Sequence, residues 1–88
     1  MILSNFMCLI IKLGGNIMFE FFNYKFYIPE ELKVYLDPVS QRFAILTKED
    51  DEIHITVELI NDELVFHPRW SINIFMLNEK EFKFTTNI

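Results

Sequence analysis

His54, Thr56 and Glu58 occupy alternate positions of one short segment, and His67 follows after a change of direction. In an extended strand, alternate residues share a face. If the chain reverses at Asn61-Asp62, counting back across a two-residue turn sets Ile60 opposite Glu63, Leu59 opposite Leu64, Val57 opposite Phe66 and Thr56 opposite His67. His67 then lies diagonal to both His54 and Glu58. Two imidazoles and one carboxylate on a sheet face are the ligand types of a zinc or iron site. The same residues far more often form a plain solvated sheet face, and that reading is taken: no metal and no cofactor is expected, with His54, Glu58 and His67 the only residues that would hold one.

Other chemistry is thinly represented. A nucleophilic serine needs an adjacent base and an orienting acid. Ser40 falls in a turn, Ser71 opens a strand, and neither has local partners. Glu58 and Glu63 are an unremarkable carboxylate pair, since any acidic chain offers several. Glu49-Asp50-Asp51-Glu52 lacks the alternating ligands and the turn glycine of a calcium loop, so it is expected to be a solvated connection. The only two glycines are Gly14 and Gly15, so no phosphate-cradling glycine loop follows Met18. The chain is expected to be no enzyme.

Aromatic residues are abundant, and Phe19, Phe21, Tyr24, Tyr27, Phe43, Phe66 and Trp70 have the composition of a single-strand-binding barrel. That alternative, an OB-like nucleic-acid binder, needs a basic groove beside the rings. Here the net charge is −5 and the lysines and arginines are scattered, so nucleic acid and anionic membranes are not expected partners.

The elements that would position these side chains are strands. Ile53, Ile55, Val57 and Leu59 alternate with His54, Thr56 and Glu58, the period of a half-buried strand. After Pro68-Arg69, a three-residue bend is expected to bring Ile72 beside Phe66 and Ile74 beside Leu64, extending one apolar face. Upstream, Phe19 to Ile28 reads as a single aromatic strand. Pro29-Glu30-Glu31-Leu32 supports at most one helical turn, Lys33 to Leu36 a short strand, and Asp37 to Gln41 a turn into a partner strand at Arg42 to Lys48. Phe82 to Ile88 closes the chain as a last strand. The expected fold is an all-β antiparallel meander of about six or seven strands, closing as a barrel or sandwich.

At 88 residues, with 51% hydrophobic and 24% charged residues, the chain supports one modest core. Residues 18–88 are expected to form that single β-domain. Residues 1–17 contain both glycines, the sole cysteine Cys8 and no acidic residue, and Gly14-Gly15-Asn16-Ile17 ahead of Met18 has the coding pattern of a ribosome-binding site. They are expected to be mistranslated leader or a disordered extension. Met1 to Leu13 has no basic start and is shorter than the roughly 18 residues of a membrane span, so no membrane role is expected. A chain without disulfides fits a cytoplasmic location.

One surplus remains. Between Ser71 and Leu77, Ile72, Ile74 and Met76 point one way while Phe75 and Leu77 point the other, and the last turn is expected to set Leu77 against Phe82 and Phe75 against Phe84. The last hairpin is therefore apolar on both faces. Phe75, Leu77, Phe82, Phe84 and Trp70 are the expected contact residues for a protein partner, either a second copy or a protein that this domain binds and inhibits. Abundant Ile, Asn, Lys and Phe suggest an AT-rich genome, and a bacterial or phage accessory protein is expected.

Overall fold

A computed structural model describes residues 10–86. Over them the protein is all-β, with nine strands and no helix: β1 (Ile11–Leu13), β2 (Asn16–Phe21), β3 (Tyr24–Pro29), β4 (Leu32–Asp37), β5 (Arg42–Thr47), β6 (Ile53–Ile60), β7 (Glu63–Pro68), β8 (Ile72–Asn78) and β9 (Glu81–Thr86). They form two sheets, one in the order β1-β2-β3-β9-β8 and one in the order β4-β5-β6-β7. The chain divides accordingly into one unit spanning Glu31–Ile72 and another built from the segments on either side.

The four-stranded sheet is a meander of consecutive hairpins. Its central register follows from the residues at its turn. Asn61 and Asp62 sit at φ 52° and 65°, both left-handed as a two-residue hairpin turn demands, and both are residue types that accept this conformation. Ile60 then pairs with Glu63, Leu59 with Leu64, Val57 with Phe66 and Thr56 with His67, as the spacing predicts. Val34, Ile45 and Ile55 are successive partners across three strands, as are Leu36, Phe43 and Val57. This apolar face supplies the core of the unit, with Phe43, Ile45, Ile55 and Val57 buried.

The pairing of β5 with β6 contains one irregularity: Ile45 faces Ile55, but Leu46 faces Ile53. His54 is the extra residue of a β-bulge. Its carbonyl accepts hydrogen bonds from the backbone N–H groups of Arg69 (2.7 Å) and Trp70 (3.3 Å), and Ser71 follows at φ 51°. These three features end β7 and redirect the chain. β8 accordingly belongs to the five-stranded sheet, so the expected pairing of Ile72 with Phe66 and of Ile74 with Leu64 does not occur.

In the other unit, Phe19 to Ile28 is two strands. Phe22 takes φ 58° and, with Asn23, makes a two-residue turn that pairs Phe19 with Phe26 and Ile17 with Ile28. Glu30-Glu31 is a plain turn without a helical residue. β3 is also paired in parallel with β9, Phe26 lying beside Phe82. That parallel pair departs from a simple meander and joins the two ends of the described chain. Ile17, Phe19, Phe21, Phe26, Ile28, Phe82 and Phe84 are buried. The opposite face carries the alternating row Glu20, Lys25 and Glu81 in register across three strands, a favourable cross-strand charge order.

Ile11–Leu13 pairs with Asn16–Met18 across Gly14-Gly15, whose φ values of 48° and 87° make the tight reversal. Within the expected leader, therefore, residues 11–17 are paired strand and turn; residues 1–9 lie outside the described residues.

Candidate functional site

The β6–β7 hairpin brings Glu58 and His67 together: His67 Nε2 lies 3.0 Å from a Glu58 carboxylate oxygen. Both are partly exposed, with Thr56 opposite His67 and Arg42 opposite Glu58. Ala44 sits between Tyr35 and Thr56 in the register, and its small side chain leaves a shallow cleft of about 300 Å³ bounded also by Arg42 and Ile53. The arrangement orients an imidazole, as a general base requires, with the Thr56 hydroxyl on the facing strand and the Glu58 carboxylate as the hydrogen-bond partner of the ring. Ser40 is in the Asp37 turn, its N–H donating to the Asp37 carboxylate, and Ser71 is in the bend after β7. Glu63 pairs with Ile60, two positions along from Glu58.

His54 does not join them. The bulge removes it from the alternation, so it is fully buried, its ring stacked on Trp70 with centroids 4.5 Å apart. Its Nδ1 lies 3.0 Å from the Trp70 carbonyl oxygen, which can only accept, so Nδ1 is the donor. Nε2 is buried with no hydrogen-bond partner. His54, Glu58 and His67 therefore do not share a face, and no cluster of three potential metal-ligating side chains occurs among the described residues.

The acidic run is committed to local structure. The Thr47 hydroxyl donates to Asp50 and also accepts from the Glu52 N–H, while Lys33 pairs with Asp51. The Thr47 hydrogen bond is the largest cause of an Asp50 pKa held below the ordinary carboxylate range, with the Glu52 backbone N–H contributing and desolvation opposing. A depressed carboxylate pKa adds stability above the unfolded-state value, lost as pH falls through the folded-state value. Thr47→Val is expected to return Asp50 toward the ordinary value and to weaken that acid dependence. A carboxyl-carbon NMR titration checks this, an unchanged Asp50 midpoint being the contrary result.

Of the aromatic residues considered for base stacking, Phe19, Phe21 and Phe43 are buried in their own sheets. The expected partner residues separate in the same way. Phe82 is 5% exposed and Phe84 fully buried, both stacked on Phe26 at 5.6 and 5.8 Å, so neither is available at the surface. Trp70 is 38% exposed beside His54. Phe75 and Leu77 are each 51% exposed, and Met76, between them, is 68% exposed. Met76 was hidden from sequence reasoning because its alternation matches Ile72 and Ile74, which are only half-buried here. Its signal was the length of an uncharged strand whose two faces are both apolar.

Among the described residues no helix is long and apolar enough to cross a membrane. Comparison with protein-family models, curated proteins and solved structures found no match to this chain.

Proposed function

We propose that this protein is a protein-binding module whose contact element is β8. The observation that carries the reading is the run Phe75-Met76-Leu77, exposed on both faces of the terminal strand of the five-stranded sheet. A terminal strand has a strand neighbour on one side only, so an extended segment of another chain can add to it by main-chain hydrogen bonding. Side chains above and below the added strand then supply the selectivity. The polar face around His67 and Glu58 gives less support to an enzymatic reading, because the imidazole is hydrogen-bonded to Glu58 and not to the neighbouring Thr56 hydroxyl, and no metal-ligating cluster occurs among the described residues.

The test is selection of extended peptides from a random display library on the immobilised protein. Selected peptides are expected to alternate apolar residues, to perturb the amide signals of Ile72–Asn78, and to bind Phe75→Lys at least about tenfold more weakly, equivalent to about 1.4 kcal/mol. Phe75 is exposed, so that variant keeps its fold, as circular dichroism would show. Enrichment of peptides that bind Phe75→Lys equally well, or that perturb only other strands, overturns the proposal.

A further inference from the structure

The outer face of the four-stranded sheet carries the row Tyr35, Ala44, Thr56 and His67 across its four strands, and beside it the row Asp37, Arg42 and Glu58. The cleft of about 300 Å³ lies where the first row is smallest, at Ala44. Tyr35 and Thr56 are its walls. In register, Arg42 stands at one end, and Ile53, the partner of Leu46, at the other. Tyr35 is 67% exposed, so its wall rises clear of the sheet. All of these residues belong to the unit Glu31–Ile72.

The hydrogen-bonding groups around the cleft are unevenly used. The acids have partners: Asp37 accepts from the Ser40 N–H at 3.3 Å, and Glu58 lies 3.0 Å from His67 Nε2. The donors do not. Arg42 approaches Asp37 through Nε at 3.9 Å, too long for a hydrogen bond, and its terminal nitrogens have no acceptor among the described residues. The Tyr35 and Thr56 hydroxyls likewise have no partner among the described residues. What the cleft lacks is an acceptor.

We infer that the cleft binds a small planar monocarboxylate, its ring over Ala44 between Tyr35 and Thr56 and its carboxylate on Arg42. The guanidinium fork matches a carboxylate with two parallel hydrogen bonds. The walls stand two strand spacings apart, about 9.6 Å. One flat ring between them needs two van der Waals contacts, about 7.4 Å, whereas two stacked rings need three, about 11 Å. The cleft is one ring wide. Its neighbours set the charge: Asp37 and Glu58 flank Arg42 in register, and the whole chain carries −5. A carboxylate brings one negative charge against them, a phosphate monoester close to two. This site stands or falls independently of the reading of β8.

The test titrates sodium benzoate into the full chain at constant ionic strength, followed by proton–nitrogen NMR. Saturable shifts in the millimolar range are expected, centred on Ala44, Thr56 and the Arg42 side chain. Benzamide, the same ring without charge, and phenyl phosphate, the same ring with a dianion, should each bind at least about tenfold more weakly. Arg42→Lys keeps the charge without the fork and should weaken benzoate at least about threefold. Arg42→Gln should abolish the preference for benzoate over benzamide, and Ala44→Leu, which fills the cleft, should abolish binding of both. Arg42 is exposed, so its variants should leave the amide spectrum away from the cleft unchanged. Absence of saturable shifts, or shifts centred on other residues, overturns the inference. Benzamide binding as tightly as benzoate overturns carboxylate recognition, and phenyl phosphate binding more tightly overturns it in favour of a phosphate site.

Discussion

Replacing Phe26 by alanine is expected to destabilise the fold by about 3–5 kcal/mol, much of the roughly 5–15 kcal/mol that holds a small domain together. The reason is position. Phe26 is fully buried, and its ring lies 5.4 Å from Phe19, 5.6 Å from Phe82, 5.8 Å from Phe84 and 6.5 Å from Tyr24. Phe19 and Phe82 are its register partners on the two flanking strands, so one side chain ties the antiparallel hairpin to the parallel strand. Removing it opens a cavity and abolishes several ring contacts, each worth about 0.5–1.5 kcal/mol beyond buried area. Phe26→Leu refills part of the space without the rings' geometry and should cost about half as much. Urea unfolding checks both: the midpoint should fall in the order wild type, leucine, alanine at unchanged slope. Equal midpoints for leucine and alanine would mean that the stacked rings contribute nothing beyond volume.

The second large effect is expected at His54. His54→Ala deletes the ring stacked on Trp70 and strips the Trp70 carbonyl of its donor, for a combined loss of about 3 kcal/mol. His54→Phe keeps the volume and stacking, and it also removes the unpartnered Nε2. The loss of the donor to Trp70 remains, so the cost should be about 1 kcal/mol. The local signature matters more than the total. The Arg69 and Trp70 N–H groups donate to the His54 carbonyl, so loosening the bulge should speed their hydrogen exchange and shift Trp70 fluorescence to the red. Trp70 emission and Arg69 exchange that match wild type in His54→Ala would show that the ring does not hold the bend.

The all-β class and the β6–β7 register were legible because period-two alternation and a turn pair tolerant of positive φ agree on one alignment. The Glu58–His67 contact came with that register for the same reason. His54 was misplaced by a single extra residue, since a bulge reverses the facing of a side chain without altering composition. The same bulge holds Arg69 and Trp70, so it also decides that β8 leaves the sheet of β7. Phe22 concealed a hairpin turn because an aromatic residue at φ 58° is atypical, and Phe21, Phe22 and Tyr24 resemble an unbroken strand. The burial of Phe82 and Phe84 depends on the parallel pairing of β3 with β9. No local pattern announces a partner so distant in sequence.

That parallel pairing imposes an order on the newborn chain. β4 to β7 need only neighbouring segments to form their hairpins, and they can do so while translation continues. The five-stranded sheet has to wait for β9, which leaves the ribosome after β1 to β8. In that interval the β2–β3 hairpin holds Phe19, Phe21, Phe26 and Ile28 with a bare strand edge where β9 will lie. Nascent chains crowded on one messenger are therefore most vulnerable to association with one another just before β9 emerges.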